Sequence, residues 1–209
     1  MMSYELNNFY TGNAGSSPAG CSNMDFSTGA KEAKRMKGMM FIEELFHAVV
    51  SGEKTQTRRI TRKFNVGDKV FLQEPYLVVS YTPFVYYKFD MANDTFRDTI
   101  RWKNKMFMPE KDSRYHILIE SVKEEHLQDI SEQDAIDEGI KWKWNGVLQT
   151  NLFKDYLATP SDLWVLCPIE SYKSLWEKIN GKGSWDMNPK VYAYTFKLIA
   201  NANTSILNV

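Results

Sequence analysis

The sequence predicts an α+β domain, a small and strongly curved sheet or barrel with helices packed outside it. Three observations carry that expectation. Several segments have strand length and composition, including VGDKVFLQEPY, RYHILIESVKEEH and KVYAYTFKLI. Two segments, FIEELFHAVVSG and SYKSLWEKING, space their apolar residues at the helical period. No internal repeat occurs, and no linker inside 39–199 marks a second domain. At 209 residues the chain can bury one substantial core.

The elements follow in order. Residues 1–37, rich in Ser, Gly, Asn and Ala, show no periodicity and are expected to form a flexible arm; the domain is expected over 38–200, with a tail over 201–209. The first helix begins near Phe41 and sets Phe41, Leu45, Ala48 and Val49 on one side, with Gly52 placed to close it in the left-handed conformation. TQTRRI reads as a short strand. A Gly-Asp turn at 67–68 opens the next strand, and Pro75 limits it. The aromatic, β-branched stretch YTPFVYYKFD suits another strand. Tyr115, Ile117 and Ile119 alternate along a longer one that runs into a turn. Ser131 and Asp134 stand in capping-box spacing and Gly139 follows, which predicts a short helix between them. The tryptophan-rich stretch 141–168 shows no regular pattern and is expected to be irregular. A second amphipathic helix sets Leu175, Trp176 and Ile179 inward and stops at Gly181, before the final strand 190–199.

Composition excludes several classes of protein. Lysine plus arginine and aspartate plus glutamate both number 26, so nucleic-acid affinity has to come from a local patch rather than a general cationic field. Two distant cysteines, Cys21 and Cys167, suit a reducing, cytoplasmic setting better than a disulfide scaffold. There is no CxxC or HExxH pattern, and the three histidines lack metal-ligand spacing to one another. Neither a metal nor another cofactor is expected. The apolar runs fall short of a membrane span.

One local feature departs from this balance. In GEKTQTRRITRK, Lys54, Arg58, Arg59, Arg62 and Lys63 crowd together with no acid between Glu53 and Asp68. Such a run is either a solvated strand edge protected by its charge or the wall of a pocket for an anionic, nucleotide-like ligand. Arg58 and Arg59 are the arginines to position phosphate groups. Glu74, just past an apolar strand, either meets a base edge or pairs with an arginine. Trp102, set among Arg101, Lys103 and Lys105, is either a stacking surface for a base or a packing residue. Trp185 sits in a shaped turn, GSWDMNP, and reads as structural.

The ordered blocks GEKTQTRR, GDKVFLQEPY, LQDISEQDAIDEGI and LWEKINGKGSWDMNPKVYAYTFK, following one helix, resemble ASCH-domain proteins of bacteriophages and prophages, a branch of the PUA-like superfamily. The resemblance spans roughly residues 39–199 and implies a PUA-like β-barrel with flanking helices. It also implies binding of RNA, single-stranded nucleic acid or a modified nucleoside. One branch of the superfamily, small amidohydrolases, removes the acetyl group from the exocyclic amine of acetylated cytidine. It uses a lysine and a threonine of a G-x-K-T-x-T motif and a glutamate in the helix after the long strand. Lys54, Thr57 and Glu138 stand at the matching positions. The Trp-rich insert and the GSWDMNP block depart from that compact branch.

Those three residues carry a definite chemistry. Thr57 is the candidate nucleophile, and Lys54 accepts its proton only if its pKa falls below the ordinary value of about 10.4. Glu138 orients the lysine or passes a proton to the leaving amine. Residues 54 and 57 would face opposite ways in an ideal strand, so Lys54 is expected in the turn after Gly52. Two other readings stay open: a non-catalytic module that reads RNA or a modified base, and a phage accessory protein that works through a protein partner.

Overall fold

The structure, a computed structural model, describes residues 36–79, 82, 84–91, 95–158 and 163–199, all within the unit that begins at Arg35. Its elements are β1 (Lys37–Met40), α1 (Glu43–Ser51), β2 (Gln56–Arg59), β3 (Lys69–Gln73), β4 (Tyr76–Val78), β5 (Val85–Tyr87), α2 (Thr95–Thr99), β6 (His116–His126), α3 (Glu132–Asp137), β7 (Trp142–Asn145), β8 (Thr150–Lys154), β9 (Trp164–Val165), α4 (Pro168–Asn180) and β10 (Lys190–Ile199). The architecture is mixed α+β with several sheets. The expected arm and tail lie outside the described residues except for Met36 and Lys37, and Lys37 already opens β1.

A five-stranded sheet in the order β1-β3-β6-β10-β2 organises the molecule. β1 runs parallel to β3, and the other neighbours are antiparallel. The sheet's core residues Val70, Leu72, Ile117, Ile119, Val191, Tyr194 and Phe196 join Leu45, Phe46 and Val49 of α1 and Leu175 and Trp176 of α4 in one cluster. Burying each large apolar side chain contributes about 1.5–3 kcal/mol, so this cluster dominates the stability of the fold. The β6–β10 register slips between Thr195 and Phe196, where the main chain of Phe196 donates instead to the Thr55 carbonyl at 2.9 Å. Such a bulge bends a long strand. The outer strands lie within side-chain reach of each other, since Arg59 on β2 donates to the Met40 carbonyl on β1 at 2.8 Å. The sheet is therefore curled, with its two outer strands facing one another.

Local signals placed most of these elements. Gly52 ends α1 at φ +83°, and the Ser131 side chain accepts from the Asp134 main chain at the start of α3. Four expectations need correction. Among its described residues the stretch 141–168 is not irregular: β7, β8 and β9 form an antiparallel sheet. Its first turn is made by Asn145, whose side chain accepts from the main chains of Val147 and Leu148 at 2.9 and 3.1 Å. The pattern was hidden because Trp142 and Trp144, on the outer face of β7, are more than half exposed. Among the described residues of the stretch 81–90 only Val85–Tyr87 is strand, and a tight 3-10 turn follows it. α4 begins at Pro168, three residues before the expected start, because a proline at the first helical position needs no main-chain donor. Ile179 is half exposed instead of buried. It stands at the rim of the cavity described next.

Candidate functional site

A cavity of about 410 Å³ opens between β1, the β2 segment and α4. Its wall includes Met40 at the end of β1 and Phe41 after it, Thr57, Arg58 and Arg59 of β2, Glu138 after α3, and Tyr172 and Trp176 of α4. Each piece is held by the fold at a specific point. Lys54 lies before β2, in the turn that strand geometry demands, with its main-chain N–H donating to the Ala48 carbonyl at 2.8 Å. The next residue, Thr55, donates to the Asp137 carbonyl at 2.9 Å, which ties this turn to the end of α3. Gly139 makes that approach possible. It adopts φ +81°, and a Cβ added there would stand 2.7 Å from the Cβ of Lys54.

Lys54 is one of the most deeply buried side chains, 1% exposed. Its ammonium donates to the Glu138 carbonyl at 2.6 Å and to Glu138 Oε2 at 2.7 Å, and it sits 5.5 Å from the centre of the Phe41 ring. It therefore caps the C-terminal end of α3 while pairing with the residue that ends it. Burial pushes the Lys54 pKa down, Glu138 opposes that, and the charges of Arg59 and Arg58 reinforce it.

The other oxygen of Glu138, Oε1, takes Arg58 Nη1 at 3.3 Å and the Tyr172 hydroxyl at 3.4 Å. Burial and the Glu138 charge together hold the Tyr172 pKa well above the usual tyrosine value. Arg58 is neutralised several times over: Nε donates to Glu125 at 2.8 Å and Nη2 lies 3.3 Å from Asp134. Burial works against its charge, but the surrounding carboxylates and Tyr172 raise its pKa. Thr57 is buried and lines the cavity. Among the described residues no hydrogen bond engages its hydroxyl, whereas the Lys54 ammonium and the Glu138 carboxylate hold each other.

The structure thus brings Thr57, Arg58, Arg59 and Glu138 to one concavity, with Lys54 directly behind its wall. It does not bring Glu74 or Trp102 there. Both Glu74 oxygens are taken by Arg114, at 2.8 and 2.9 Å, and burial raises the Glu74 pKa against that pairing. Arg114 also pairs with Asp90 and packs 4.2 Å from the centre of the Tyr87 ring. Of the alternatives for Glu74, the arginine pair is the one formed. Trp102 is half-buried, donates its indole N–H to the Arg97 carbonyl at 2.8 Å, and is absent from the cavity wall.

Three wall residues had no sequence signal pointing to the cavity: Lys105, Tyr172 and Trp176. Trp176 reads as a core position of an amphipathic helix, and in the structure it and Tyr172 are both buried. Trp176 keeps a buried indole N–H with no acceptor among the described residues. Among the described residues no group of three His, Cys, Asp or Glu side chains could hold a metal ion, and no helix is long and apolar enough to cross a membrane. No family model, curated protein or solved structure matches the chain.

Proposed function

We propose that this chain is an ASCH-domain protein with a PUA-like fold whose cavity binds a cytosine nucleoside and hydrolyses an amide on its exocyclic amine. One observation carries the reading: the buried Lys54–Glu138 pair stands behind a wall in which the Thr57 hydroxyl has no partner among the described residues. The curled five-stranded sheet, with the cavity between its outer strands, supports the PUA-like barrel. The cavity volume suits a single nucleoside.

In this reading Thr57 Oγ attacks the acyl carbon, and neutral Lys54 takes the hydroxyl proton. The C–N bond breaks, and the exocyclic amine leaves with the proton returned from Lys54. Water then cleaves the Thr57 ester and releases the carboxylic acid. Desolvation and the neighbouring arginines favour the neutral amine that this step requires. Glu138 is the positioning residue, since it holds Lys54 through both its main chain and its side chain.

A second reading, recognition without chemistry, is favoured by one specific feature. Two acceptors on Glu138 already hold the Lys54 ammonium, which stabilises its charged form. Incubation with acetylated cytidine, followed by ultraviolet absorbance, separates the two. Conversion that disappears in Thr57→Ala and Lys54→Met supports hydrolysis. Tight binding of cytidine without conversion assigns the cavity to recognition alone.

A further inference from the structure

The cations of the cavity wall fall into two groups. Arg58 and the Lys54 behind it are matched by Glu125, Asp134 and Glu138. Arg59, Lys63 and Lys105 also line the cavity, yet among the described residues none of them forms an ion pair with a carboxylate. Arg59 and Lys105 are only half exposed to solvent.

These two are held by consecutive carbonyls. Arg59 Nη2 donates to Met40 O at 2.8 Å, and Lys105 Nζ donates to Phe41 O at 2.6 Å. Their positive groups therefore meet at the end of β1, and each keeps further N–H donors. Two like charges, partly desolvated, with no carboxylate in contact and only the more distant Glu138 charge favouring Arg59, are costly to hold together. Their mutual cost also appears in the Lys105 pKa, which burial and the Arg59 charge both lower. An anion placed between them removes that cost.

Building on the nucleoside reading above, we propose that the cavity takes its ligand as a nucleoside phosphate monoester, with the phosphate held by Arg59 and Lys105 and with Lys63 at the rim. A phosphate monoester carries about 1.5–2 negative charges near neutral pH, which matches this pair of cations. Guanidinium meets phosphate in two-point contacts, while lysine supplies a compact charge. A monoester fits better than an RNA strand for two reasons. The cavity, about 410 Å³, accommodates one nucleotide. The chain as a whole, with 26 basic and 26 acidic residues, lacks the surplus of positive charge that a strand of phosphodiesters attracts.

The test is calorimetric titration of the full chain with cytidine, cytidine 5′-monophosphate, inorganic phosphate and a short oligocytidylate lacking terminal phosphates. The monophosphate is expected to bind about tenfold or more tightly than cytidine. Lys105→Gln, which keeps a donor for Phe41 O, should remove most of that advantage, and Lys105→Arg should retain it. Thermal melting of each variant confirms that it is folded. Equal affinity for cytidine and its monophosphate overturns the phosphate site while leaving the nucleoside reading intact. So does an advantage that survives Lys105→Gln unchanged. Tighter binding of the oligonucleotide replaces the monoester with a nucleic-acid strand. Inorganic phosphate binding as well as the monophosphate removes the nucleoside from the proposal. Tight monophosphate binding with no hydrolysis of its acetylated form keeps the phosphate site and removes the amidohydrolase.

Discussion

Glu138 serves two cations, whereas Lys54 serves one carboxylate that has other partners, and this asymmetry orders the effects of substitution. Glu138→Leu leaves Lys54 and part of Arg58 buried without their anion, and a loss of about 3–5 kcal/mol is expected. Lys54→Met leaves Glu138 still held by Arg58 and Tyr172, so about 1–2 kcal/mol is expected. Urea unfolding of the two variants checks the order, and a larger loss for Lys54→Met contradicts it. The same lysine gives stability a pH dependence. Because burial lowers its pKa, the folded chain releases this proton at lower pH than the unfolded chain does. Between the two pKa values the unfolded state holds more protons, so unfolding free energy rises with pH across that window. Below both values the burial cost remains in full. Lys54→Met should therefore flatten the alkaline rise measured by urea unfolding, and an unchanged rise would place the titration elsewhere.

At the scale of elements, α3 and the turn after it aim the site. Ser131 caps the helix by accepting from the Asp134 main chain at 3.1 Å, and Gly139 lets the chain turn against Lys54. Gly139→Ala forces a side chain into a left-handed conformation and against the Lys54 Cβ. A loss of about 1–3 kcal/mol is expected, accompanied by weaker ligand binding. A variant with full stability and affinity would show that this contact does not position Lys54. The glycine stops at Gly52, Gly139 and Gly181 and the Ser131 cap were legible because they depend on neighbours in sequence. The long strand β6 was legible for the same reason, since Ile117 and Ile119 alternate with half-buried Leu118. The β7–β9 sheet was not. Its outward tryptophans erase the contrast between apolar and polar positions, and its turn rests on an asparagine side chain rather than a glycine. β1 escaped notice too, because a four-residue parallel strand depends on β3, far along the chain, for its pairing.

At the scale of the molecule, the cavity exists because the sheet curls until β1 and β2 face each other. Sequence spacing indicated Lys54, Thr57 and Glu138 through the resemblance, and the run of basic residues indicated Arg58 and Arg59. The contributions of Lys105, Tyr172 and Trp176 depend on packing across the whole chain and have no local mark. Glu74 and Trp102 illustrate the converse. Each looked available in sequence, yet Arg114 and the Arg97 carbonyl occupy their polar atoms. The fold thus separates a paired interior, Lys54–Glu138–Arg58, from an open face in which the Thr57 hydroxyl is unengaged among the described residues. That division of labour is the central claim, and a rapid-quench experiment addresses it most directly. The protein is mixed with acetylated cytidine for a single turnover, stopped in acid and digested for mass spectrometry. An acetyl group on Thr57, absent from Lys54→Met, is the expected result; cytidine formed with no acetyl on Thr57 at any time point would contradict the account.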